Sequence, residues 1–158
     1  MGTQIIYNGK KPSQMLADFK KLQANIMILV GNEAVNFVMD NFKKQGFDTG
    51  MGIIKWPPRN PEAKRNDRPL LVDKGHLHNG IRRTVRGNIT YISVAPPADQ
   101  YAAVHNDGFN GEVSVKSSKG KTFTRHMNIP QRQYIGDSQA LNKRIYRVVD
   151  TGMQKVFH

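Results

Sequence analysis

The 158-residue chain contains no cysteine. That excludes disulfides, thiolate nucleophiles and cysteine-based zinc or iron–sulfur sites, and it suits an intracellular environment. Metal chemistry would have to rest on histidine and carboxylates. Apolar runs are also short. None approaches the roughly 20 residues that span a bilayer, and the start, MGTQIIYNGKK, lacks the apolar core and cleavage site of a secretory signal. Ile6 stands where a myristoylation signal carries Ser or Thr. The sequence therefore reads as a soluble protein retained in the cell that makes it, with no membrane partner. Acidic residues are scarce, with 12 Asp and Glu against 24 Lys and Arg and a formal net charge of +12. An excess of this size attracts a polyanion over a Debye length of ~8–10 Å. The cations are spread thinly over Lys10/Lys11, Lys20/Lys21, Lys43/Lys44, the Lys55–Arg68 segment, Arg82/Arg83/Arg86 and Lys143/Arg144/Arg147. A solvated basic face accounts for many of them; contact with nucleic acid or an acidic protein is the alternative.

The length fits one domain, residues 1–158. Between Pro12 and Gln45 the apolar residues Leu16, Phe19, Leu22, Ile26, Leu29 and Val30, then Val35, Val38, Met39 and Phe42, recur every three or four positions. That spacing predicts a long amphipathic helix lying on a sheet. Ser13 is the expected cap and Gly46 the expected left-handed end. Gly31–Asn32 implies either a kink or a restart. From Phe47 to Pro69 the composition turns to Gly, Pro, Asn and charge, which predicts a long loop over residues 47–69. Its one tryptophan, Trp56, is either a plug for the edge of the core or a contact for a neighbour.

Asp73 is the expected cap of a short helix through His76, Leu77 and Asn79 that closes at Gly80. Ile81–Arg86 and Ile89–Val94 read as a hairpin turning at Gly87–Asn88. Asp99 then caps a helical turn carrying Tyr101, Val104 and His105. A second hairpin, an excursion over residues 110–127, pairs Glu112–Lys116 with Lys121–Met127. Asp137 or Ser138 caps a last helix whose Leu141, Ile145, Val148, Val149 and Val156 share one face. The expected fold class is α+β: a small, mainly antiparallel sheet of hairpins packed by a long N-terminal helix and a C-terminal helix.

Chemistry has little foothold. His76 and His78 are two apart, which on a helix sends their rings to different sides. No paired acids with a nearby base, nucleophile elbow or phosphate-cradling loop is present. The sequence predicts no catalytic residue, no metal site and no cofactor. Tyr101 and His105 lie four apart on one helical face, so their rings pack while their polar tips reach backbone. In IPQRQYIGDS, Pro130 holds Ile129 extended, Arg132 and Tyr134 share a side, and Gly136 permits the turn into the last helix.

The ordered series LVDKGHLHNGI, YAAVHNDG and IPQRQYIGDS, with the helix and the Trp–Pro loop before it, resembles the phage virion morphogenesis family, the tail-completion proteins of contractile-tailed phages. The residues that carry the resemblance are Phe42, Gln45 and Gly46; Trp56 and Pro57; Leu71, Gly75, Leu77 and Ile81; Tyr101, Ala102, His105 and Gly108; and Ile129, Pro130, Arg132, Tyr134, Ile135 and Gly136. Lys74 stands where the family usually has threonine, Gly80 where serine is frequent, and Tyr134 where phenylalanine is common. Loss of the threonine hydroxyl leaves Asp73 as the expected cap.

The resemblance implies a structural, non-enzymatic subunit of a phage or prophage that completes the tail and joins it to the head. It also implies a closed ring, with a hexamer as the expected size, contacting tail-tube and head-connector proteins in the virion neck after assembly in the bacterial cytoplasm. Trp56, Asp73, Gly75, Leu77, Tyr101, His105, Arg132, Tyr134 and Gly136 are the interface or structural-motif candidates. The exposed edges of the hairpins and the Trp56 loop are the expected contacts, and Arg132 the expected polar tie. Two rivals stand beside this. One is a basic nucleic-acid-binding module using Arg82, Arg83 and Arg86 with the Lys55–Arg68 loop. The other is a hydrolase using His105 with Asp107.

Overall fold

The computed structural model describes residues 9–61, 68–118 and 120–158. The chain start and the middle of the Lys55–Arg68 basic stretch, read above, lie outside the described residues.

Helix α1, Pro12–Lys44, runs 33 residues without interruption. Pro12 rather than Ser13 opens it. A proline at the first helical position loses no bond, because that N–H has no partner within the helix, and the Gln14 side chain accepts from the Lys11 N–H at 3.1 Å. The core face is Gly31, Ala34, Phe37, Val38, Asn41 and Phe42, so the buried residues of the expected stripe lie in its second half, while Leu22, Ile26 and Val30 of the first half are half-buried. Leu16, Phe19 and Leu29 on the first half remain exposed.

Gly31 does not restart the helix. A Cβ there would lie 2.7 Å from Thr90 Cγ2 and 2.9 Å from Arg83 Cδ, so glycine is what lets a hairpin cross the helix at this point. The crossing is held by Thr90 Oγ1, which donates to Met27 O at 2.7 Å, and by Arg83 Nε, which donates to Asn32 Oδ1 at 2.6 Å. Gly31→Ala would gain about 1 kcal/mol in helix propensity. The clash is expected to outweigh it, for a net loss of about 1–2 kcal/mol in urea unfolding; a stabilised variant would refute the crossing.

The helix ends at Gln45, not Gly46. Gln45 takes the left-handed conformation (φ 50°), and its amide Nε2 donates to Phe42 O at 2.7 Å and to Leu70 O at 3.3 Å. Gly46 is needed in the next strand, where a Cβ would sit 2.6 Å from Ile54 O.

The stretch read as a loop from Phe47 begins as a hairpin, β1 (Gly46–Asp48) paired antiparallel with β2 (Ile53–Lys55). An Asx turn makes it, with Asp48 Oδ1 accepting from Gly50 N–H at 3.0 Å. Helix α2, His76–Gly80, is capped by Gly75 at φ 77° rather than by Asp73; Asp73 instead pairs with Arg68 at 3.2 Å. Strands β3 (Ile81–Arg86) and β4 (Ile89–Val94) pair in full register with the turn at Gly87–Asn88, as their sequence pattern predicts.

Helix α3, Asp99–Asp107, is preceded by Ala98 as its cap. Asp99 is its first residue, where an acid favours the positive end of the helix. Strands β5 (Phe109–Lys116) and β6 (Thr122–Ile129) form a ribbon that extends past the expected hairpin at the end away from its turn, to Phe109 and Ile129. Helix α4, Gln139–Phe157, is capped by Ser138, whose Oγ accepts from Ala140 N–H at 3.0 Å and donates to Asp48 O at 2.5 Å.

The class is α+β, with the described strands in three separate two-stranded sheets. The core gathers Phe37, Val38, Phe42, Phe47, Trp56, Leu77, Ile81, Ala98, Ala102 and Tyr134. Helices α1 and α4 are tied by Arg144, whose Nη1 lies 2.8 Å from Asp40 and 3.4 Å from Glu33, with its guanidinium over the Phe37 ring.

Candidate functional site

Four segments far apart in sequence meet behind Phe42. Its ring packs edge-on to Trp56 at 5.5 Å and to His78 at 5.3 Å, and tilted on Tyr134 at 5.3 Å. Trp56 is 6% exposed. Its ring lies inside the subunit, and Nε1 donates to Gln133 O at 2.6 Å. Arg132 is almost as deeply buried. Its Nε donates to Pro57 O at 2.9 Å and its Nη2 to Pro58 O at 3.0 Å, while its backbone N–H donates to His105 O at 2.9 Å. Within the subunit, one residue thus ties the Trp–Pro segment, through its side chain, to the end of α3, through its backbone.

Tyr134 donates its hydroxyl proton to Ala102 O at 3.0 Å. Two asparagines that are not among the candidate residues complete the corner. Asn106 Oδ1 accepts from the N–H groups of Tyr134 and Ile135, at 3.0 and 3.1 Å. Asn41, fully buried on α1, donates to Tyr134 O and accepts from Asp48 N–H, both at 3.1 Å. The available signal was an amide next to Phe42 on an otherwise apolar helix face, because a polar side chain placed there must find buried backbone partners. Gly136 lies beside Phe47 and the Gln133 amide, where a Cβ would collide.

The second group of motif residues opens on the surface. Leu71, Asp73, Gly75, His76, Tyr101 and His105 line a cleft of about 410 Å³, with Leu77 buried at its floor. The rings of Tyr101 and His105 meet edge-on at 5.7 Å. His105 Nδ1 is buried without a hydrogen-bond partner. Burial, and then the Arg132 charge, hold its imidazole below the ordinary 6.5. Asp107 does not orient it: Asp107 Oδ1 accepts from Asn106 Nδ2 at 2.8 Å. An imidazole kept neutral, with no acid bonded to it, suits packing better than proton transfer. Among the described residues no three His, Asp or Glu gather as a metal site, and no helix is long and apolar enough to cross a membrane.

The corner therefore joins every segment that carries the resemblance. The phage virion morphogenesis family matches the chain over residues 11–154. The chain belongs to the phage virion morphogenesis family. No match was found among curated proteins or among solved structures. In this member of the family, the motif residues Trp56, Leu77, Arg132 and Tyr134 are buried within one subunit, while Asp73, Gly75, Tyr101 and His105 border the cleft. The family is structural, and the role of the chain is in phage virion assembly.

Tyr134 gives the corner a pH signature. Burial, with Asp107 and Tyr101 nearby, pushes its phenol up from 10.0 to about 12. A raised folded-state value contributes stability that is complete below pH 10 and is lost as pH rises toward 12. The wild type is expected to lose about 2–3 kcal/mol over that window relative to Tyr134→Phe, measured by urea unfolding at each pH. Parallel curves would show that the phenol is solvated. His105 has the opposite sense, since its lowered value contributes stability above pH 6.5 that is lost on acidification.

Proposed function

We propose that the chain is a tail-completion subunit that forms a closed ring at the neck, between the tail tube and the head connector. The supporting observation, beside family membership, is the surface left over once the corner is assembled. Large apolar side chains stand open on several elements: Leu16 and Phe19 on α1, Ile53 and Ile54 on β2, Phe123 on β6, and Tyr146 and Phe157 on α4. Exposed apolar side chains of this size are surface that other chains can cover. A ring requires two different complementary patches on each subunit, related by rotation. The role is geometric, and the buried motif residues hold the shape that presents those patches.

The test has two parts. Light scattering across concentration and salt, with negative-stain images, is expected to give a closed ring of defined mass. Deleting the gene from its phage or prophage is expected to leave separate heads and tails, restored by the wild-type chain. A protein that stays monomeric at every concentration, and whose loss leaves joined particles, would overturn the proposal.

A second reading is favoured by one face of the β3–β4 hairpin, where Arg82 and Arg86 lie opposite the side that buries Ile81, and Arg86 sits 5.8 Å over the exposed Tyr91 ring. Cations beside an open aromatic suit a polyanion. Two phosphate contacts predict that log K for duplex DNA falls with log salt at a slope of about −2. Charge reversal at Arg82 and Arg86 should abolish the slope; unchanged binding would remove this reading.

A further inference from the structure

Among the described residues, the β5–β6 ribbon is the one hairpin without substantial support from another element. Strands β3 and β4 lie on α1, and β1–β2 is held between the end of α1 and the start of α4, whereas β5 and β6 make substantial contact only with each other. A two-stranded hairpin in water is marginal unless a helix or further strands cover an apolar face. The ribbon has such a face. Its register places Phe109, Val113 and Val115 of β5 on the same side as Phe123, Met127 and Ile129 of β6. The other side is Asn110, Glu112, Ser114 and Lys116 against Thr122, Thr124, His126 and Asn128, polar throughout. Strict alternation of this kind belongs to a sheet with one side buried. Here Phe123 is 50% exposed, and no described element covers the outer half.

The same chain carries an unfilled apolar surface of matching size. Between α1 and α4 runs an open groove of about 590 Å³ lined by Leu22, Leu29, Val148, Thr151, Gly152 and Val156. Its α4 wall, Arg147 to Val156, is about 15 Å long. The outer four residues of each ribbon strand extend about 14 Å. Arg125 is the one charged residue on the apolar side of the ribbon, and Asp18, the one acid lining the groove, is already paired with Lys10 at 2.9 Å, so the match between the two surfaces is apolar rather than ionic. Docking two grooves against each other would instead oppose Lys21, Arg147 and Lys155 of both copies, a like-charge contact.

We propose that the apolar face of the β5–β6 ribbon of one subunit packs into the α1–α4 groove of a second copy of this chain. The contact is heterologous, with ribbon as donor and groove as acceptor on every subunit, so it propagates around a ring. The inference rests on the ring-forming reading above and names the surfaces that form the ring.

Because the chain has no cysteine, single introduced thiols report the contact cleanly. Val115→Cys (ribbon) and Thr151→Cys (groove) are purified separately, mixed and treated with a short bismaleimide, while light scattering gives the mass of the same mixture. The expected result is a covalent dimer that needs both variants and is absent when Thr124→Cys, on the polar side of the ribbon, replaces Val115→Cys. Independently, Phe123→Ser is expected to leave the monomer's thermal midpoint unchanged and to raise the concentration needed for assembly about tenfold or more. Rings of normal mass without the mixed cross-link, or rings unaffected by Phe123→Ser, overturn the ribbon-in-groove contact and leave the ring reading standing. A mixture that stays monomeric and uncross-linked overturns both.

Discussion

Trp56→Ala is expected to destabilise the subunit by about 3–5 kcal/mol, the range for deleting a buried aromatic. For a chain of this length that lowers the thermal midpoint by about 10 °C or more. Two effects add. The indole fills the space edge-on to Phe42, so its loss opens a cavity between α1 and the segment after β2. It also leaves Gln133 O without the N–H it now accepts from. Trp56→Phe separates the two, because it keeps most of the apolar volume and removes the donor; a loss of about 1–2 kcal/mol is expected from the unpaired carbonyl. Urea unfolding of both variants checks this. If Trp56→Ala unfolds like the wild type while assembly fails, the ring of Trp56 belongs to a contact between subunits and its placement in the core is refuted.

Arg132→Ala carries the second large effect, about 3 kcal/mol. The guanidinium donates to two successive carbonyls, Pro57 O and Pro58 O, from a nearly buried position. Truncation leaves both acceptors without that donor, and their own residues, being prolines, offer no N–H to re-pair the segment locally. Arg132→Lys should recover less than half of the loss, since one ammonium on a flexible stem does not reproduce the fork. Limited proteolysis after the Trp–Pro segment gives a second readout: cleavage is expected to rise in Arg132→Ala and to stay near wild type in a surface control such as Arg125→Ala. Equal resistance and equal unfolding midpoints would show that Arg132 is not the tie.

These effects show where local pattern was sufficient and where it was not. The β3–β4 hairpin was legible to the residue because period-two alternation and the Gly87–Asn88 turn are local signals. The cap of α4 was legible as a choice of two residues, and Ser138 took it because its hydroxyl also reaches Asp48 O across the fold. The β1–β2 hairpin was missed because three-residue strands are too short to show a period, and a carboxylate turn at Asp48 makes the reversal. Asp73 was the expected cap on composition alone, but a left-handed Gly75 begins α2 without a side-chain acceptor. Of the corner, the sequence offered Trp56, Arg132 and Tyr134 as separate motifs; the asparagines that stitch them, Asn41 and Asn106, act across 93 and 28 residues.

By itself the sequence determined the elements with a strong local period, the basic surface charge and, through the order of its motifs, membership of a virion-assembly family. Those properties depend on side chains a few positions apart or on simple sums. Only the tertiary structure decided that α1 runs unbroken through Gly31, that Trp56 faces inward, and that the described strands remain three separate hairpins, one of them without substantial cover from the other described elements. The first two are set by contacts between distant segments, a hairpin crossing a helix and a carbonyl at Gln133 that accepts from the indole, and the third by which segments the closed chain leaves apart. Such contacts are fixed by the geometry of the closed chain, which no local spacing encodes.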